Sequence, residues 1–204
     1  MAKLFKNVWF RCIAVLLVLA VVLSGLLAIL SDVLYVSPEE RTGRAIKKIY
    51  GEDKIYSTIL DIDGATPSSP IEYDFGKINK IYQVGDSASS SFDILFQTEG
   101  YEGYKYGTIT VWVKVSVNDG VYSIAQVILE SYTKQTLMSK LDGNYYSNFN
   151  LTDVTNAYLS GEFFTTNAQA TNGNPVTGAT KSANAGNNAV NCVIKYLGEN
   201  DNEI

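Results

Sequence analysis

The longest uninterrupted apolar run is Cys12 to Ser31, CIAVLLVLAVVLSGLLAILS, with no charged side chain. At ~1.5 Å per residue a helix of this length crosses a hydrocarbon core of about 30 Å. A cleaved signal peptide has an apolar core of only about 7–15 residues followed by a small-x-small site, and no clear site follows here. The run predicts a transmembrane helix over residues 12–31. After it, SPEERTGRAIKKIYG carries several helix-start signals at once. Ser37 can cap, Pro38 suits the first helical position, and Glu40 completes a capping box. Gly51 is expected to end that helix.

Residues 61–70 and 87–91 read as loops, rich in Gly, Pro and Ser. The pattern then changes to a period of two. FDILFQ reads as a strand. GTITVWVKVSV places Ile109, Val111, Val113, Val115 and Val117 on one face, and Thr110, Trp112, Lys114 and Ser116 on the other. Asn118-Asp119-Gly120 is a hairpin signal, and VYSIAQVILES is the return strand. TLMSKLDG reads as a short helix ended by Gly143, NLTDVTNAYLSG as another, and EFFTT as strand-like. In the last element, Ala183 to Leu197, positions 189, 190, 193, 194 and 197 are apolar at helical spacing, and Gly198 is expected to close it. The fold class expected is α+β: an antiparallel sheet with packed helices, preceded by one N-terminal transmembrane helix.

Charge orients the span. Lys3, Lys6 and Arg11 precede it, and Asp32, Glu39 and Glu40 follow, so the positive-inside rule puts the N-terminus in the cytoplasm. The expected division is residues 1–11 cytoplasmic, 12–31 in the cell membrane, 32–56 a juxtamembrane helix and linker, 57–198 an extracytoplasmic domain, and 199–204 an acidic tail. The 204 residues carry a net charge of −5 and no basic cluster that would suit a nucleic acid. The chain has no His, which removes the commonest general base and metal ligand. No catalytic acid or base and no metal site are expected. The two cysteines, Cys12 and Cys192, lie in separate predicted helices, and two thiols are too few for a four-thiolate iron–sulfur cluster. Redox chemistry on this chain would need an organic cofactor.

One stretch carries candidate chemistry: NPVTGATKSANAGNNAV, residues 174–190. It resembles the FMN-binding domain family found in membrane electron-transport complexes, namely the sodium-pumping NADH:quinone oxidoreductase and the related ion-translocating ferredoxin-dependent complex. That family's attachment motif is broadly Asp-x-x-(Ser/Thr)-Gly-Ala-Thr-x-(Ser/Thr). Thr177, Gly178, Ala179, Thr180 and Ser182 match it, and Asn174 stands where the family has Asp. Gly100, Tyr101, Gly103, Asp119 and Gly120 resemble a second family stretch, Gly-Tyr-x-Gly leading into a valine-rich hairpin. The family's following Glu-Thr-Pro-Gly-Leu-Gly is absent, and the chain reads SYTKQTLMSKLDG there.

The resemblance implies FMN held covalently by a phosphoester on Thr180, with Thr177, Gly178, Ala179, Lys181 and Ser182 around it. It implies a flavin transferase for maturation and other membrane subunits as partners. The role it implies is an electron carrier in an ion-translocating oxidoreductase, with ion movement left to those subunits. The residue types suit that chemistry. Gly178 and Ala179 leave room for a transferase, Thr180 supplies a hydroxyl, and a helix start stabilises a phosphate. The plainer alternative is a polar loop with a helix cap. Gly64-Ala65-Thr66 shows that the tripeptide alone is weak, since Asp63 replaces the required hydroxyl and no amphipathic helix follows. Tyr101, Tyr104, Tyr145, Tyr146, Phe163 and Phe164 are the aromatic candidates to stack on a flavin, and Asn187, Asn188 and Asn191 read as mostly solvent-facing or capping. Two other functions stay open at this level: a non-redox surface protein that keeps the fold, and a standalone extracellular flavoprotein reductase.

Overall fold

The computed structural model describes residues 8–34, 36–64, 66–85, 91–150 and 152–200. Lys3, Lys6, Ala65, most of the 87–91 loop and the end of the acidic tail lie outside the described residues. The chain divides into two compact units, Met1–Arg41 and Thr42–Ile204.

The first unit is dominated by α1, Val8–Leu34. Its Cys12–Leu30 segment has a mean hydropathy of 3.1, and it is long and apolar enough to cross a membrane. Ser24 Oγ donates to Ala20 O at 2.7 Å, so its hydroxyl is satisfied within the helix. The second helix, α2, is Pro38–Tyr50. Ser37 Oγ accepts Glu40 N at 3.1 Å, as the capping pattern predicts. Glu39 and Glu40 sit in its first turn and Lys47 and Lys48 in its last, each sign on the favourable end of the dipole. Gly51 follows with φ +75, and its N–H bonds Lys47 O at 2.9 Å.

The second unit is built on a six-stranded antiparallel sheet. Its strands are β1 Tyr56–Asp61, β2 Ile71–Tyr73, β3 Gly76–Val84, β4 Ser91–Gly100, β5 Ile109–Asn118 and β6 Val121–Tyr132. Their order is β1-β3-β4-β5-β6, and β2 pairs with the other end of β3. The β5–β6 hairpin turns at Asp119 (φ 50) and Gly120 (φ 79), the paired positive φ of the favoured two-residue turn. After β6 come α3 Gly143–Ser147, α4 Val154–Leu159 and the long α5 Thr180–Glu199.

The alternation in β5 sorts two cores. Ile109, Val111, Val113, Val115 and Val117 face α5 and pack with Ala183, Ala189, Val190, Val193 and Ile194. Trp112 faces the other way, into a smaller cluster with Tyr82, Val84, Leu95 and Ile46 of α2. The closest approach of helix to sheet is at Gly100. A Cβ there would fall on Ala185 O and Ala189 N, so the small residues of α5 seat directly on the β4 backbone.

Several local expectations are corrected. α5 begins at Thr180, three residues before the predicted start, so Thr180 is helical. It continues through Gly198, where a Cβ would overlap the Tyr158 ring. That glycine admits α4 and does not end the helix. Gly143 opens α3, because the Asp142 carboxylate accepts Asn144 N (3.0 Å) and Tyr145 N (3.3 Å). The segment before it holds only a single 3-10 turn, Met138–Lys140. EFFTT forms no strand: Asn191 accepts Phe164 N (2.8 Å) and donates to Phe164 O (2.9 Å), so a side chain replaces the sheet partner.

Candidate functional site

Residues 174–179 form the loop that enters α5, and Thr180, Lys181 and Ser182 make its first turn. Gly178 has φ +82, a turn that a side chain would strain, and Ala179 is the N-cap. Ala179 N bonds Val176 O at 3.2 Å, and Ala183 N bonds Ala179 O at 2.8 Å. Alanine offers no side-chain oxygen, and the N-terminus of α5 receives no side-chain cap. By contrast, Asp142 caps α3 and Asp153 caps α4. Thr180 is exposed, and its Oγ1 donates weakly to Val176 O at 3.3 Å. Thr177, Gly178 and Lys181 are exposed as well, whereas Ser182 is 1% exposed.

The charge around this helix start is the inverse of that in α2. No acidic residue lies in the first turn of α5, and Lys181 does. A second cation reaches in from the turn before α3: Lys140 Nζ donates to Thr177 O at 2.8 Å. Two ammonium groups at the positive end of a helix dipole are unfavourable unless an anion sits among them.

Thr180 opens on a groove of about 450 Å³, lined by Tyr104, Thr136, Leu137 and residues 178–182. Its volume lies within the about 300–1,000 Å³ typical of cofactor sites. Larger hollows lie elsewhere. One of about 510 Å³ lies between β6 and α3, and another of about 680 Å³ is lined by residues 52–57 and Gly85. Neither is reached by residues 174–182. The far wall of the Thr180 groove is strained. Among the described residues, Glu102, Lys105, Tyr106, Asp119, Lys134 and Leu137 have positive φ without being glycine. All but the hairpin residue Asp119 fall in segments 102–106 and 134–137, which supply Tyr104, Thr136 and Leu137 to the groove. Such strain, at about 1–3 kcal/mol a residue, concentrates at functional sites.

The asparagines expected at the surface are buried connectors. Asn188 Nδ2 donates to Tyr101 O at 3.1 Å, which fixes the loop leading to Tyr104. Asn187 Oδ1 accepts the Tyr145 hydroxyl at 3.0 Å and Asn174 Nδ2 at 3.4 Å. Asn174 is 3% exposed and also accepts Asn148 Nδ2 at 2.9 Å. Of the aromatic candidates, only Tyr104 lines the groove. Tyr145 lies beneath α5, its hydroxyl donating to Ala183 O at 2.8 Å, and burial raises its pKa well above the usual phenol value. Tyr146 and Phe164 are core, and Tyr101 points its hydroxyl at Glu72 (2.9 Å). Thr66 is exposed in a loop that leads into β2, with no helix after it. Residues that the sequence did not mark but the groove uses are Lys140, Gln135, Thr136 and Leu137. Among the described residues no group of three His, Cys, Asp or Glu side chains could hold a metal ion, and Cys12 and Cys192 are free thiols.

Comparisons of the chain with protein-family models, with curated proteins and with solved structures give no match.

Proposed function

We propose that Thr180 Oγ1 is the acceptor of an FMN phosphoryl group, and that the domain is an electron carrier beside a membrane. The observation that carries this reading is the start of α5. An exposed hydroxyl stands at the first residue of an uncapped helix that has no acidic residue in its first turn, with Lys181 in that turn, Lys140 bonded to the preceding loop and a groove beside it. The residues fit the group. The free N–H groups of the first turn, Lys181 and the Lys140 ammonium suit a phosphodiester. Gly178 keeps the approach to Thr180 open, and Tyr104 offers an aromatic wall for a flat ring. When bound, the flavin supplies one- and two-electron transfer. Attachment forms an Oγ1–P bond as the phosphoanhydride P–O bond of a flavin dinucleotide breaks; the nucleoside monophosphate leaves, and the Thr180 hydroxyl proton goes with it or to solvent, with no change of oxidation state.

The membrane context supports a tether. A cofactor bound covalently is not lost from an extracytoplasmic domain, and α1 can anchor the chain. The partners on this reading are a flavin transferase and the membrane subunits of an ion-translocating oxidoreductase. Copurification of such subunits separates this role from a standalone reductase.

The test is chemical. After co-expression with a flavin transferase, the denatured wild type should be fluorescent in a gel and heavier by one FMN. Thr180→Ala and Thr180→Val should lose both signals, Thr180→Ser should keep part, and Thr66→Ala should change neither. A wild type without added mass, or a Thr180→Val chain that stays fluorescent after denaturation, overturns the proposal.

A further inference from the structure

Gln135 stands behind the groove and hydrogen-bonds two residues that line it, Tyr104 and Ser182. It is half-buried between three segments. Its Oε1 accepts Ser182 Oγ from the first turn of α5 at 2.8 Å, and it accepts Tyr104 N at 3.0 Å. Its Nε2 donates to Thr133 O at 3.0 Å. The loop around Tyr104 closes on this amide: Gly103 N bonds Gly107 O at 3.0 Å, and a Cβ on either glycine would run into Gln135 Nε2. Ser182 Oγ also stands 3.3 Å from Thr136 O, so the segment that carries Gln135 lies against α5 on both sides of its side chain. The Tyr104 ring has Lys105 Nζ 5.4 Å from its centroid, and nothing in that contact holds the ring to α5. Gln135 joins the Tyr104 backbone to the turn that begins with Thr180.

We infer that Gln135 is a positioning residue. Through Ser182 and Tyr104 N it fixes the tyrosine ring and the start of α5 as two walls of one groove. Tyr104 would then be the residue to stack on a flavin carried by Thr180. This inference rests on the flavin reading of Thr180.

The test compares flavin-loaded wild type, Tyr104→Ala, Gln135→Met, Ser182→Ala and the Tyr104→Ala/Gln135→Met double variant. Mass and denatured in-gel fluorescence first report loading. Native flavin fluorescence then reports ring stacking, since a tyrosine in contact quenches it. Tyr104→Ala should raise native fluorescence several-fold. Gln135→Met, of similar volume but without the polar atoms, should raise it in the same direction, and Ser182→Ala by less. The double variant should match Tyr104→Ala alone, because the two residues act through one contact. In the unloaded protein, hydrogen exchange at Tyr104 N–H should quicken in Gln135→Met. A wild type that carries no FMN overturns the flavin reading, and the stacking role with it. Loaded chains in which Gln135→Met leaves native fluorescence and Tyr104 exchange unchanged, or in which the double variant is additive, overturn the role of Gln135 alone.

Discussion

Lys140 Nζ lies 2.8 Å from Thr177 O, and a Cβ added to Gly178 would come within 2.9 Å of the same ammonium. A cation is thus held against the loop that starts α5, where the helix dipole repels it. In the unloaded chain the repulsion and the hydrogen bond oppose each other. Lys140→Met should therefore change unloaded stability little, within about 0.5 kcal/mol. With a phosphodiester on Thr180 the balance shifts, and the ammonium gains an anion worth about 0.3–1 kcal/mol. Flavin loading should raise Tm of the wild type, and the gain should be about 1–4 °C smaller in Lys140→Met. Equal gains in both proteins, by calorimetry at low salt, would remove Lys140 from the site.

On the proposed flavin reading Asn174 takes the place of an Asp in the attachment motif, and its surroundings say what the exchange would do. Its Oδ1 accepts Asn148 Nδ2 at 2.9 Å, a bond a carboxylate would strengthen. Its Nδ2 donates to Asn187 Oδ1 at 3.4 Å, a bond a carboxylate cannot make. Asn187 Nδ2, however, is buried without a hydrogen-bond partner. Turning that amide over would present it to the new oxygen. Asn174→Asp should therefore fold and accept flavin at least as well as wild type. Pairing it with Asn187→Leu should destabilise the chain, because the buried carboxylate then keeps only the Asn148 donor. Markedly weaker labelling of the single variant, by gel fluorescence over time, would show that residue 174 does not serve the attachment motif.

What the sequence reveals here depends on whether one neighbour or two decide a segment. β5 is readable because one face meets α5 and the other meets α2, and its valines alternate accordingly. β3 carries no such signal: Gly76 to Val84 is buried on both faces, so no alternation survives. The apolar half of α5 is legible from Val190, Val193, Ile194 and Leu197, but its first turn is not. Thr180, Lys181 and Ser182 do not together favour a helix, and Ser182 is held by Gln135, a residue far away in sequence. Thr180 can be chosen from its motif, whereas the groove beside it cannot. Lys140, Gln135 and Leu137 reach it through tertiary turns that no local spacing announces. The asparagines of α5 mislead for the same reason: Asn188 and Asn191 bond the backbones of Tyr101 and Phe164, and Asn187 bonds the side chains of Tyr145 and Asn174.

With Lys3, Lys6 and Arg11 on one side of the apolar run and Asp32, Glu39 and Glu40 on the other, the positive-inside rule predicts a cytoplasmic N-terminus. On that prediction the proposed flavin site faces outward. Protease added to intact spheroplasts should remove the Thr42–Ile204 unit, and detergent lysis should add little further cleavage. If the unit is fully protected until the membrane is opened, the orientation is reversed.

On the far face of the sheet, Asp61 and Lys80 form a buried pair, Nζ to Oδ1 3.1 Å. The Tyr82 hydroxyl donates to Asp61 and meets Thr42 of α2 at 3.1 Å, so the pair ties α2 to β1 and β3. Burial alone would raise the Asp61 pKa. The Tyr82 hydroxyl, Asp63 N–H and Lys80 outweigh it and hold the carboxyl below its ordinary value of 3.8. A lowered folded pKa means that the unfolded chain takes up the proton first. The stabilisation is therefore complete above about pH 4 and is lost as pH falls through the lower folded value. Asp61→Asn should cost less at pH 7 than the about 3–5 kcal/mol typical of a buried pair losing one partner, because Lys80 keeps Asp63 at 3.5 Å. Urea unfolding from pH 7 down to pH 2 should show the wild-type and variant stabilities converging below about pH 4. Curves that stay parallel to pH 2 would mean that Asp61 does not hold its charge through the pair.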